Sequence, residues 1–257
     1  MIKKNMKKLS ALIGVAGVLF ATNLYAGFDG TLTLNSSAYS WGNGGEFTAV
    51  VITSPGNLQG APSFQTFCIE YNEEFGPGNT YSFKENTGAV AGGVNLGTLH
   101  TDPNTGLAMD NISIGTAWLY SQFRSGGLGT LTASQAGQLQ NAIWYLENEI
   151  TLAQLSTMNG VDGTDYYNLA KSGTVTTDTT VFNDSLGAYH VIALNLFNGA
   201  YSTPVNSPNG APYNLNQDQL AIDPSFVPEP TTMIAGVLLL LPFGASTLRI
   251  LRRNRAA

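Results

Sequence analysis

An uncharged apolar run near the C-terminus constrains this chain most, because it separates a segment suited to a membrane from the rest of the sequence. Residues 231–248 contain no charged side chain and are about long enough to cross a hydrocarbon core as a helix. Arginines follow the run and, by the positive-inside rule, place the C-terminus on the cytoplasmic side. The segment is bounded by Val227, Pro228, Glu229 and Pro230 before it and by Arg249, Arg252, Arg253 and Arg255 after it.

The order of these parts resembles the PEP-CTERM sorting signal of Gram-negative bacteria. The resemblance implies that a membrane protease of the exosortase type recognises the Pro-Glu-Pro sequence and removes the helix, so residues 226–257 are expected to be a sorting signal. The protein would then be anchored in the inner membrane only transiently, and would finish at the cell surface or in the extracellular matrix. The alternative is a plain C-terminal anchor that is never cut.

The N-terminus is consistent with export. Four lysines within residues 3–8 precede an apolar stretch at 11–21, and Ala26 supplies a small residue before Gly27. This arrangement predicts a secretory signal peptide over residues 1–26, cleaved between Ala26 and Gly27. The folded domain is therefore expected to span residues 27–225.

The expected domain is strongly acidic. Of the chain's 11 basic residues only Lys84, Arg124 and Lys171 lie within it, whereas all of the 17 acidic residues except Glu229 do. Such a charge repels nucleic acid and anionic surfaces. The composition thus argues against a nucleic-acid partner.

Hydrophobic periodicity predicts an α+β fold, with a β-rich sandwich or barrel-like body and an all-helical insert. Residues 31–35, 47–53 and 66–70 have strand patterns, and residues 219–222 form a last strand candidate. The insert is predicted at about 110–200. Helical spacing predicts a first helix with the face Ile114, Ala117, Trp118 and Ser121, and a middle helix with the stripe Ala136, Leu139, Ile143 and Leu146. A third helix is predicted near 182–200, with the stripe Phe182, Leu186, Tyr189, Ala193 and Leu196. A capping box at Thr132 and Gln135 is expected before the middle helix.

Cys68 is the single cysteine of the chain. An exported protein passes into an oxidising compartment, yet Cys68 has no internal partner for a disulfide. One explanation is a buried thiol that packs as a small apolar side chain. The other is a chemical role.

Residues 67–70 (Phe-Cys-Ile-Glu) and 139–144 (Leu-Gln-Asn-Ala-Ile-Trp) resemble the motifs of the thioester domains of bacterial surface adhesins. The resemblance implies an internal thioester between Cys68 and a glutamine on a late strand, for which Gln219 is the counterpart. It also implies a supporting role for Gln140 and Trp144 on the central helix. For Gln140, a half-buried side chain bonded to backbone is the alternative.

Two functions remain open from the sequence. The first is a thioester-type adhesion domain that captures a nucleophile, and the second is a non-covalent structural protein of the exopolysaccharide matrix, where a polysaccharide or surface ligand is the partner. No cofactor, turnover-enzyme motif or metal site is predicted. His100 and His190 lack the spacing of a metal site, and the acidic loop at 162–165 lacks the closing glutamate of an EF-hand.

Overall fold

The computed structural model describes residues 28–54, 58, 63–90, 99–102, 106–174, 180–198 and 215–223. The predicted signal peptide, the predicted sorting signal and the predicted transmembrane helix lie outside these residues. No helix in the described ranges is both long and apolar enough to cross a membrane. The described residues form an α+β fold with a β-rich body, so the predicted fold class is confirmed at that level.

The body is a six-stranded antiparallel sheet with the strand order β3-β2-β1-β4-β8-β9. A smaller sheet has the order β5-β7-β6. The strands are β1 (Gly30–Trp41), β2 (Gly44–Thr53), β3 (Ser63–Thr66), β4 (Asn79–Asn86), β5 (Gly88–Val90), β6 (His100–Thr101), β7 (Ala108–Asn111), β8 (Val191–Phe197) and β9 (Leu215–Ile222).

Strand β1 shows why this sequence forms the sheet. Leu32 and Leu34 are fully buried on one face, while Thr31 and Thr33 on the other face bond to threonines of the neighbouring strands at 2.7 and 2.9 Å. This alternation is the pattern expected of a strand with one face toward the core. The predicted strand at 31–35 is confirmed.

The sheet curls until its two ends meet. Just after β3, Ile69 N donates to Asp218 O at 3.0 Å, and Leu220 N donates to Phe67 O at 3.1 Å. Between these two bonds, Cys68 and Gln219 form an antiparallel bridge. The segment just after β3 is therefore paired with β9. These are the first and last strands in the sheet order, although about 150 residues separate the paired segments in sequence.

Helices cover the curled sheet. They are α1 (Ile114–Ser125), α2 (Ala133–Leu146), α3 (Leu152–Leu155) and α4 (Thr164–Gly173). The predicted capping box before α2 is present, with Thr132 and Gln135 bonding to each other's backbone. Helix α2 packs against β1 and β2, and Gly137 allows the close approach, since a Cβ there would lie 2.5 Å from Trp41 Cδ1.

The predicted third helix at 182–200 is wrong, and the helical insert is shorter than the predicted 110–200. Short 3-10 turns occupy Thr180–Phe182 and Ala188–His190, and residues Val191–Phe197 form strand β8. Leu186, Gly187, Tyr189 and His190 all have positive φ angles, which no α-helix accommodates. Strand β8 lies between β4 and β9 and is almost wholly buried. A buried apolar run of this kind cannot be distinguished from a helix by periodicity.

The core has two parts that meet at α2. One part lies among the helices and contains the predicted stripe of this helix, Ala136, Leu139, Ile143 and Leu146, all fully buried. The other lies inside the curled sheet and contains Cys68 and Trp144. Helix α2 therefore contributes to both parts and contacts the bridge between the sheet's ends.

Candidate functional site

Cys68 and Gln219 meet in the interior. Gln219 Nε2 donates a hydrogen bond to Cys68 Sγ at 3.4 Å, and both residues are completely buried. The amide nitrogen is bonded directly to the carboxamide carbon, so the sulfur lies beside the atom that a thioester would require. The structure thus brings together the two residues singled out from the sequence.

Backbone pairing on both sides fixes this contact. The bonds from Ile69 to Asp218 and from Leu220 to Phe67 bracket the pair. Thr66 adds a side-chain bond, its Oγ1 donating to Leu220 O at 2.7 Å. The same oxygen lies 3.4 Å from Gln219 Oε1, so a hydroxyl group adjoins the carbonyl end of the glutamine.

Gln140 bonds to Cys68 through both ends of its carboxamide. Its Oε1 accepts from Cys68 N at 3.1 Å, and its Nε2 donates to Cys68 O at 2.8 Å. Gln140 is fully buried. Its carboxamide makes the two hydrogen bonds that a neighbouring strand would otherwise make to the backbone of Cys68. The predicted bonding to backbone is therefore present, but the side chain is fully buried and not half-buried. The bonds are made to Cys68, which pairs with Gln219.

Trp144 lies one turn after Gln140 on α2 and bonds to the next carbonyl on the same side. Its Nε1 donates to Glu70 O at 3.0 Å, and its ring packs edge-to-face on Tyr71 with centroids 5.2 Å apart. Gln217 Nε2 donates to the same carbonyl. The i and i+4 spacing places Gln140 and Trp144 on one helix face, so a single helix positions both Cys68 and Glu70.

Burial keeps the thiol protonated. It raises the pKa of Cys68 to about 12, while the hydrogen bond from Gln219 acts in the opposite direction. A thiolate is the form that reacts with oxidants and alkylating agents. Cys68 is therefore shielded from external reagents.

Three carboxylates surround the bridge. Glu70 and Asp218 are buried and Glu73 is half-buried, and each offers an oxygen within 4.8 Å of the other two. Asp218 accepts bonds from Val90 N at 2.8 Å, Asn195 Nδ2 at 2.7 Å and Leu196 N at 3.1 Å. Burial, followed by the charge of Asp218, raises the pKa of Glu70 well above its usual range.

An open cleft of about 430 Å³ adjoins this cluster. Its floor includes Gly44, and a Cβ at that position would lie 2.6 Å from Gln140 Cγ and 2.7 Å from Trp144 Cη2. Only a glycine at position 44 allows the backbone to lie so close to the side chains of Gln140 and Trp144. Other lining residues are Asn43, Phe47, Tyr71, Glu73 and Gln217.

The sequence did not single out Gly44, Glu70, Glu73 or Asp218 as site residues. Glycine in a turn and scattered acidic residues are too common to indicate a site without the pairing of the sheet's ends. The acidic segment at 162–165 is a loop only in part, because Thr164 and Asp165 begin α4. Asp162 is exposed and accepts from Thr164 N at 2.9 Å. His100, also considered from the sequence as a metal ligand, has its Nε2 at 2.8 Å from Asp184 Oδ2.

Comparison of the chain with protein-family models, curated proteins and solved structures finds no match in any of the three. The resemblances to a PEP-CTERM signal and to thioester domains therefore rest on the motifs alone. The sorting and cleavage residues (Ala26, Gly27, Val227–Pro230, Arg252 and Arg253) lie outside the described residues.

Proposed function

We propose that this protein forms an internal thioester between Cys68 and Gln219 and uses it to capture a nucleophile covalently. The observation that supports this most is the buried contact of Gln219 Nε2 with Cys68 Sγ at 3.4 Å. A lone thiol packed for its apolar character needs no carboxamide beside it. Here the sheet closes through that pair of residues.

The proposed chemistry has two steps. In the first, Cys68 Sγ adds to the carboxamide carbon of Gln219, the C–N bond breaks, and the thiol proton leaves with the nitrogen as ammonia. In the second, an external amine or hydroxyl adds to the same carbon and the C–S bond breaks. The captured molecule is then joined to the side chain at position 219, and the Cys68 thiol is regenerated.

The surroundings suit the first step. Gln140 and Trp144 are positioning residues, because they bond to the backbone of Cys68 and Glu70 and not to the reacting atoms. Thr66 Oγ1 lies 3.4 Å from the oxygen on which negative charge develops. Its hydroxyl donates to Leu220 O, and by turning toward the developing oxyanion it would stabilise the addition intermediate. Complete burial of Cys68 and Gln219 excludes the water that would hydrolyse a thioester.

We also propose that the domain acts outside the cytoplasm, as an exosortase-processed protein of the cell surface or extracellular matrix. The signal-peptide pattern at 1–26 and the tripartite tail at 226–257 support this. Mass spectrometry of surface material from a native host tests it. The account requires that no peptide containing Arg252 be recovered, and its recovery from surface-localised protein would show an uncut anchor.

The competing function is that of a non-covalent matrix protein with a structural thiol at Cys68. The raised pKa of this thiol and its complete burial favour it. In that case Gln219 only donates a hydrogen bond to sulfur. The two functions differ in whether Gln219 retains its amide nitrogen.

Incubation of the native protein with methylamine separates them. A thioester takes up one methylamine at position 219 and exposes one thiol, while a free Cys68 takes up none. Cys68→Ala should abolish the uptake. Gln65→Ala, which removes a half-buried glutamine on β3 from outside the site, is the matched control and should leave uptake unchanged. Uptake at any residue other than 219 would contradict the proposal.

A further inference from the structure

The carboxylates of Glu70, Glu73 and Asp218 form a cluster that pairs with no basic side chain in the part of the chain that the structure describes. One oxygen from each lies within 4.8 Å of the others. The basic side chains of the described residues lie elsewhere. Lys84 pairs with Asp29 at 3.0 Å, Arg124 lies over the ring of Phe64, and Lys171 lies over the ring of Tyr167.

Glu70 is the most informative member. It is 2% exposed, and neither of its side-chain oxygens accepts a hydrogen bond from a donor group of the described protein. Glu73 Oε2 is buried without a donor as well. A buried carboxylate without donors is costly unless it is protonated or bound to a cation, and these two side chains are directed toward each other and toward Asp218.

The ligand set suits calcium. Three carboxylate oxygens lie within 4.8 Å of one another, and calcium binds six to eight oxygens at about 2.3–2.6 Å, several of them from carboxylates. Magnesium is usually held by only one or two carboxylates and keeps most of its water. The cluster also meets the adjoining cleft, which Glu73 and Gln217 line. Water from this cleft can complete the six to eight ligands that calcium takes.

We propose that Glu70, Glu73 and Asp218 bind one calcium ion. The ion would join the segment after β3 to β9, since Glu70 follows Cys68 by two residues and Asp218 directly precedes Gln219. The site does not depend on whether the thioester forms.

The test is calorimetric titration of the full chain, purified in a mild detergent and freed of metal by a chelator. We expect one calcium per chain, with a Kd of about 0.1–1 mM as in extracellular calcium modules, and a higher Tm in calcium than in magnesium at equal ionic strength. Glu70→Gln should weaken binding at least tenfold. In the absence of calcium it should be about as stable as the parent, because a neutral amide replaces a carboxyl group whose ionised form is disfavoured by burial.

Glu73→Gln, at a half-buried position, provides a second variant if Glu70→Gln fails to fold, and should also weaken binding at least tenfold. Glu74→Gln is the matched control, because this exposed neighbour lines the same cleft but is not part of the cluster. It should bind calcium within about threefold of the parent. Absence of calcium binding, equal stabilisation by magnesium, or unchanged affinity in both cluster variants would each overturn the proposal.

Discussion

The carboxamide of Gln140 satisfies both backbone groups of Cys68, accepting from its nitrogen at 3.1 Å and donating to its oxygen at 2.8 Å. A strand residue at the meeting of two sheet ends would otherwise leave these groups unpaired in the interior. The side chain of one helical residue therefore completes the hydrogen bonding of the residue that the proposed chemistry uses.

Replacing Gln140 should lower both the free energy of unfolding and the extent of methylamine uptake. Gln140→Ala leaves a buried N–H and a buried C=O without partners, which costs roughly 2–5 kcal/mol of unfolding free energy. The extent of methylamine uptake should fall with it, because the position of Cys68 is no longer fixed. Chemical denaturation measures the first effect. Gln138→Ala, on the same helix but only half-buried, should change stability by no more than about 0.5 kcal/mol.

Gly44 should tolerate no side chain. In Gly44→Ala the new Cβ would overlap Gln140 Cγ and Trp144 Cη2, and overpacking of this kind typically costs about 1–3 kcal/mol. The loss is expected to appear as a lower Tm. In Gly127→Ala the nearest atom is the end of the flexible Gln122 side chain, so this control should lose clearly less. Equal losses would mean that the approach of the β1–β2 turn to α2 is not tight.

Thr66 provides a kinetic prediction. Thr66→Val keeps the shape but removes the hydroxyl beside Gln219 Oε1, so the rate of ammonia loss after refolding should fall by about tenfold or more. Time-resolved intact mass measures that rate. Thr33→Val, on the outer face of β1, should leave it unchanged. An unaltered rate in Thr66→Val would exclude the hydroxyl from the reaction.

Strand β1 could be predicted from the sequence, because its buried apolar residues alternate with polar ones. Helices α1 and α2 could be predicted from apolar residues at helical spacing, although α2 is buried on most of its sides. Strand β8 could not, since it is covered on both sides and its apolar residues do not alternate. Helix α4 (Thr164–Gly173) was also missed. It is polar overall, with Ala170 as its one fully buried residue, so its hydrophobic signal is weak.

The site was predictable only in part. Cys68 and Gln140 stand in recognisable motifs, and Gln219 could be proposed because a late strand can return beside an early one. The carboxylate cluster could not be proposed, because Glu70 and Asp218 are almost 150 residues apart and no local pattern marks either as a metal ligand. Their proximity depends on the closure of the whole sheet.

Glu147 should make stability depend on pH. It is buried and accepts from Ser113 N at 3.1 Å and Ser113 Oγ at 2.8 Å, and burial, with a smaller contribution from Asp110, raises its pKa from 4.5 to about 8. Between these values the folded state binds a proton that the unfolded state releases. This contribution to stability is therefore complete below about pH 4.5 and is lost as the pH rises to about 8.

Denaturant unfolding across this pH window, compared between the parent and Glu147→Gln, measures the effect. The variant remains neutral and should show a smaller decline in stability toward pH 8. Other buried carboxylates contribute to the parent's decline, so only the difference between the two proteins is assigned to Glu147. Parallel curves for the two proteins would show that Glu147 is already ionised in the folded state at low pH.

Intact mass of the purified, unreduced protein tests the proposed thioester most directly. We expect a mass lower than that of the processed sequence by one ammonia, and no alkylation of Cys68 while the protein is folded. Cys68→Ala should restore the full sequence mass, and Gln219→Ala should leave a free thiol. A parent protein of full sequence mass, with Cys68 intact and alkylated only after denaturation, would contradict the account and identify Cys68 as a structural thiol.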